Sequence, residues 1–194
     1  MDNKFGYDQY LVRQKIISVL GAKFHIYNPN QELVMFSQMK AFKLKEDIRL
    51  YSDESMSEEL LTIKARNVID FSATYDVHDP STGEHVGSLR RKGLKSILKD
   101  EWIILNPGEA EIGRIKEDRR LLAFLRRFLS NLIPQTYNVE MNGSTVSTFT
   151  QNFNPFVTKI NVDFSSDPAR ILDRRLGLAA SVLLCAIDGK QSGA

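Results

Sequence analysis

Short runs of alternating apolar and polar residues, each bounded by turn formers, fill the chain up to residue 118 and predict antiparallel strands with one buried face. The first spans residues 10–15. Residues 23–27 and 32–36 flank Asn28-Pro29-Asn30-Gln31, a turn-forming quartet that predicts a hairpin. A short ambiguous segment from Phe42 leads into a strand over 47–51, and the polar, acidic stretch 52–59 is a loop before a strand over 60–66. In residues 71–77, Phe71, Ala73, Tyr75 and Val77 take one face, while Ser72, Thr74 and Asp76 take the other. Asp79-Pro80-Ser81-Thr82-Gly83 turns the chain into a strand over 84–89, and residues 102–105 form a strand stopped by Asn106-Pro107-Gly108. Residues 111–116 form another strand. Asn142-Gly143 is a two-residue hairpin signal between 136–141 and 144–151, and 159–164 is the last strand, expected to lead straight into a helix.

That helix is expected over residues 167–187, with Pro168 at its first position, where a missing N–H costs nothing. From Leu176 to Ile187 no residue is charged, so no polar stripe is left for water and the helix must be enclosed on every side. A membrane span needs about 20 apolar residues. This run is shorter, with Arg174 and Arg175 before it and Asp188-Gly189-Lys190 after it. The enclosing wall is therefore expected to be the rest of the protein. A second helix, over 118–132, is amphipathic: Leu121, Leu122, Phe124, Leu125, Phe128, Leu129 and Leu132 share one side, and Lys116, Arg119, Arg120, Arg126 and Arg127 gather on the other.

Composition adds bounds. The chain has 194 residues, 42% hydrophobic and 26% charged, which is ordinary for a globular protein, and no repeat or Gly/Ser-rich linker divides it, so residues 1–194 are read as one domain. The one cysteine, Cys185, lies in the apolar helix, so neither a disulfide framework nor a cysteine metal cluster is expected. The first residues lack the plan of a signal peptide, which favours a cytoplasmic protein. Net charge is only +2, but the stretch 90–127 carries eleven Lys/Arg against six Asp/Glu, leaving the remainder at −3.

The segment from Tyr75-Asp76-Val77 through Asp79-Pro80-Ser81-Thr82-Gly83 and Val86-Gly87 to Arg90-Arg91-Lys92, then Trp102-Ile103-Ile104, resembles the LURP-one-related branch of the tubby C-terminal-like superfamily. So does Leu172-Asp173-Arg174-Arg175-Leu176-Gly177-Leu178-Ala179. The resemblance runs from about Tyr10 onward. It implies a mainly β (α+β) fold: a closed twelve-stranded antiparallel β-barrel enclosing the apolar C-terminal helix, with the amphipathic helix on its surface. The superfamily includes tubby-type domains that bind phosphoinositide head groups and the phospholipid scramblases, so it points toward membranes. This chain lacks the cysteine cluster, the Pro-rich arm and the acidic calcium loop of scramblases.

Function is carried less directly. Arg90, Arg91, Lys92, Lys95 and Lys99 surround a glycine and offer charge-assisted bonds to phosphate. On a strand Arg90 and Lys92 share a face. Arg119, Arg120, Arg126 and Arg127 offer a basic helix face to anionic lipid, an anionic protein partner or nucleic acid. For both segments a solvated surface is the competing reading, and the two gain weight if they meet in space. His25 is read as structural, Trp102 as core, and the hairpin carrying Asp76, His78, Asp79, Glu84 and His85 as a turn without metal. No nucleophile elbow, phosphate-binding Gly loop, His-Glu-x-x-His pair or dinucleotide fingerprint is present. The expectation is a monomeric, non-catalytic binding module without cofactor, peripheral to an anionic phospholipid or phosphoinositide surface. A protein or nucleic-acid scaffold is the alternative, and scramblase-like lipid handling the least favoured reading.

Overall fold

The computed structural model describes residues 3–17, 21–39, 47–66, 73–92, 101–118, 135–152 and 157–188. Its strands are β1 (Gln9–Ile17), β2 (Gly21–Tyr27), β3 (Leu33–Met39), β4 (Asp47–Tyr51), β5 (Glu59–Ala65), β6 (Thr74–Asp79), β7 (Glu84–Arg91), β8 (Glu101–Leu105), β9 (Glu111–Glu117), β10 (Gln135–Met141), β11 (Ser144–Asn152) and β12 (Val157–Asp163). Each pairs antiparallel with its neighbours in sequence, and β1 closes on β12 with Tyr10 opposite Val162 and Gln14 opposite Thr158. The expected twelve-stranded closed barrel is what forms, and closure leaves no free sheet edge.

Alternation explains the wall. In β4, Ile48 and Leu50 are fully buried while Arg49 between them is exposed. In β12, Thr158, Ile160 and Val162 point inward, leaving Lys159 and Asn161 outside. The tight β10–β11 turn has Asn142 and Gly143 both at positive φ, +50° and +78°, the conformation its sequence favours. Trp102 lies in the core and Cys185 is buried, as read from the sequence.

Inside the barrel runs α1 (Arg174–Asp188), buried at every residue from 174 to 186. Burial of each Leu or Val side chain along it contributes about 1.5–3 kcal/mol. Gly177 sits flush on Phe164: a Cβ there would lie 2.6 Å and 2.7 Å from two atoms of that ring.

The helix begins later than the proline predicts. Asp173 is the cap, its Oδ1 accepting from the Arg175 amide at 2.9 Å and its carbonyl from Gly177 at 3.0 Å. Pro168 instead belongs to a folded connector between β12 and α1, so the strand does not run straight into the helix. Asp167 organises that connector: its carboxylate accepts the amides of Ile171 at 2.8 Å and Leu172 at 3.0 Å, and the Arg174 guanidinium at 2.8 Å. Arg170 stands at a φ of +53°, outside the right-handed helical region, so the turn opened at Pro168 does not continue as a helix.

Arg174 and Arg175, which the sequence placed as a polar end, are both buried. Arg174 also reaches Asp8 at 3.3 Å and stacks over the Phe164 ring at 4.5 Å. Arg175 joins the helix start to the β6–β7 hairpin, contacting Asp79 at 3.1 Å, Glu84 at 2.7 Å and Asp173 at 2.7 Å. The two arginines fasten the helix to opposite parts of one barrel mouth. The amphipathic helix expected over 118–132, with Arg119, Arg120, Arg126 and Arg127, lies outside the described residues apart from Asp118, as do Lys95 and Lys99.

Candidate functional site

Arg90 and Lys92 of the basic segment sit among carboxylates. Arg90 donates to Thr74 at 3.3 Å and reaches Glu109 at 3.5 Å, and Lys92 pairs with Glu101 at 3.2 Å. Arg91, half-buried, ends β7. Farther along the same basic stretch, Arg114 pairs with Glu111 and with Glu101 at 3.4 Å, and Lys116 with Glu140 at 2.6 Å. Register causes this: β9 lies between β8 and β10, with Lys116 opposite Glu101 and Arg114 opposite Glu140. Among the described residues of this basic stretch, Arg90, Lys92, Arg114 and Lys116 are thus each met by an acid.

Beside Arg90 lies a constellation that resembles catalytic machinery in composition only. Ser88 Oγ is 3.2 Å from His85 Nε2, but it donates to Asp76 at 2.7 Å, and Asp76 is 3.5 Å from the same His85 nitrogen. A base oriented by an acid needs that acid on its other nitrogen. Ser88 is fully buried beneath Arg66, which binds Asp76, Ser88 and Glu109. Burial pushes the Asp76 carboxyl up, but its bonds from Arg66 and Ser88 outweigh this and hold it below the ordinary range. The same balance holds Asp79 down, with Ser81 and Arg175 opposing burial. His78 stacks on His85 at 4.8 Å, which keeps the two lone pairs from converging, and among the described residues no group of three potential ligands holds a metal. His25 pairs with Glu54 at 3.2 Å and packs on Phe36, a structural role.

On a different surface, four described cations have no ion pair among the described residues. Arg13 and Lys15 stand two apart on β1 and so share the outer face. Across β1–β12, Arg13 lies opposite Lys159, and across β1–β2, Lys15 lies opposite Lys23. No carboxylate of the described residues pairs with any of these four, although Lys23 also sits 5.7 Å over the Phe36 ring. Opposed residues have Cβ atoms about 4.5–5.5 Å apart, and like charges there are destabilising. Two such pairs stand side by side on this face.

A groove of about 540 Å³ opens on that face, walled by the β2–β3 turn and floored by the outer residues of β12, β1 and β2. Leu11, Tyr27 and Asn161 form one cross-strand row of it, and Arg13 and Lys159 the next. Its far end holds Gln9 and Asp163, joined at 3.4 Å. Burial raises the Asp163 carboxyl, but bonds from Ser165 and Gln9 outweigh it and leave the group below the usual range, a fixed negative charge.

Sequence reasoning missed this face because its four cations lie in three separate runs. The i, i+2 spacing of Arg13 and Lys15 was visible; their meeting with Lys23 and Lys159 depends on barrel closure.

Compared with known proteins, residues 33–170 match the family model of LURP-one-related proteins. No curated protein and no solved structure matches the chain.

Proposed function

The chain belongs to the LURP-one-related family, and on that footing we propose that it is a non-catalytic binding module that docks on anionic phospholipid through the outer face of β12, β1 and β2. The observation that carries this reading is the set of two facing cation pairs, Arg13 with Lys159 and Lys15 with Lys23, without acidic partners among the described residues. An anionic surface relieves both repulsions at once. Each Lys or Arg near such a surface contributes about 1 kcal/mol, so four supply about 4 kcal/mol. That corresponds to weak, reversible docking at millimolar strength. The basic segment of Arg90, Arg91, Lys92, Lys95 and Lys99 and the helix face of Arg119, Arg120, Arg126 and Arg127 are proposed as additional contacts, subordinate because the carboxylates around Arg90 and Lys92 already offset part of their charge.

Docking leaves the fold intact. No helix of the described residues is long and apolar enough to cross a membrane. Extracting α1 would expose the barrel lining and break the ion pairs of Arg174 and Arg175, which argues against scramblase-like lipid handling.

The test is sedimentation of the full chain with vesicles of neutral lipid and of vesicles containing phosphatidylglycerol, across a salt series. Retention on the anionic vesicles that falls steeply between 50 and 200 mM salt is the expected outcome, because the Debye length shrinks from about 14 Å to about 7 Å over this range. Equal retention on neutral vesicles, or none at low salt, would overturn the reading. Binding to nucleic acid with no binding to vesicles would favour the scaffold alternative.

A further inference from the structure

The groove deepens this reading, on which it rests. We infer that Arg13 and Lys159, facing each other across β1–β12 at one end of the groove, form a subsite for a phosphomonoester, the dianionic form of phosphate carried by an organic body.

Charge matching favours this ligand. A flat anionic surface asks only for scattered cations, whereas two cations in directly opposed register, without a carboxylate between them, ask for one compact group carrying about two charges. A phosphomonoester carries about −1.5 to −2 at neutral pH, a diester only −1. The two side chains also divide the work: Arg offers a planar fork for two oxygens, and Lys a mobile point charge for the third. Of the acids near the groove, Glu32 accepts from the Asn28 side-chain amide in the turn wall, and Asp163 lies at the opposite end.

That opposite end gives the groove a direction. Gln9 is four residues from Arg13 along β1, so Asp163, opposite Gln9, lies about 13 Å from the cation pair. It repels an anion from its own end and steers it toward Arg13 and Lys159. Between the two ends, Leu11 and Tyr27 present apolar surface to the carbon body of the ester, and Asn161 offers an amide to its hydroxyls. The groove's volume exceeds that of the phosphate group alone, so the body is part of what it takes.

Such a group comes either from a small soluble organophosphate or from a lipid whose head group is a bare monoester. Two arms separate these sources. In the first, the full chain is sedimented with vesicles of phosphatidic acid and of phosphatidylglycerol matched in surface charge, at pH 7.5 and pH 5. In the second, glycerol 3-phosphate and inorganic phosphate are titrated calorimetrically. The lipid source predicts about tenfold stronger retention on the monoester vesicles at pH 7.5. The ratio collapses toward one at pH 5, below the second phosphate pKa of about 6. The soluble source predicts saturable binding of glycerol 3-phosphate, tighter than inorganic phosphate.

Either signal should disappear in Arg13→Gln and in Lys159→Gln, while retention on phosphatidylglycerol drops only a few-fold because Lys15 and Lys23 remain. Both variants should unfold at or above the wild-type urea midpoint, because each removes a like-charge contact. A lowered midpoint would assign these residues a structural role and overturn the subsite. Equal retention on charge-matched vesicles together with no glycerol 3-phosphate binding overturns the subsite and leaves surface docking standing. Absence of retention on phosphatidylglycerol overturns the docking reading instead, and the calorimetric arm then decides the subsite by itself.

Discussion

Replacing Asp167 by Ala should be the most damaging single change at the mouth of the barrel. Asp167 and Arg174 are each 1% exposed and 2.8 Å apart, so deletion of the carboxylate leaves a guanidinium in the interior. Its other polar contacts are the Asp8 carboxylate at 3.3 Å, which is itself 60% exposed, and the carbonyls of Asp167 and Leu172. Removing one partner of a buried pair costs about 3–5 kcal/mol. The amides of Ile171 and Leu172 also lose their acceptor, at about 1–3 kcal/mol each, although water entering the space offsets part of that. A total of at least about 5 kcal/mol is a large share of the 5–15 kcal/mol that holds a domain together. Trp102, the one tryptophan, is buried in the core and reports unfolding by its fluorescence. With an m-value of about 3 kcal/mol/M, the urea midpoint should fall by more than 1 M. A double-mutant cycle with Arg174→Met should show coupling of at least about 1 kcal/mol. A midpoint shift equivalent to less than 1 kcal/mol, or strict additivity in the cycle, would refute the role given to this pair.

Two further outcomes follow from packing and protonation. Gly177→Ala should lower stability by about 1–3 kcal/mol in the same urea assay, despite the better helix propensity of Ala, because the new methyl meets the Phe164 ring; a stabilised variant would contradict the packing. Stability should also fall at both pH extremes. Asp76, Asp79 and Asp163 have folded pKa values below the ordinary carboxylate value, so their contribution is present above about pH 4 and lost as pH drops through the folded values. Burial pushes the Tyr10 hydroxyl up to about 12, against the opposing bond to Tyr7 and the charge of Arg174. The unfolded chain therefore releases that proton first, and stability declines from about pH 10 to pH 12. A urea midpoint unchanged from pH 7 to pH 11.5 would contradict the burial of Tyr10.

The barrel was legible because its signals are local. Alternation in runs such as Phe71 to Val77, the Asn142-Gly143 turn and the uncharged stretch after Leu176 each speak for themselves, and burial of residues 176–186 agrees with the enclosure they implied. The helix start was misread where a local signal competed with a distant one. Pro168 suits a first helical turn, yet Asp167 before it is drawn to Arg174, and Asp173 takes over as cap. Net charge along the sequence was likewise a poor guide to surface potential. Arg114 and Lys116 belong to the most basic stretch, but strand register sets acids opposite both. Arg13 and Lys159 stand 146 positions apart in unremarkable runs, and only closure of β1 on β12 brings them face to face.

The central claim is that the face of β12, β1 and β2 carrying Arg13, Lys15, Lys23 and Lys159 is the one that engages anionic lipid. The most direct measurement compares the wild-type chain, Arg13→Glu combined with Lys15→Glu, and Arg90→Glu combined with Lys92→Glu by sedimentation with phosphatidylglycerol vesicles at low salt. Near-complete loss of retention for the first double variant, with a change of no more than about threefold for the second, is the predicted result. Retention kept by the first and lost by the second would contradict the account and return the docking surface to the basic segment after β7.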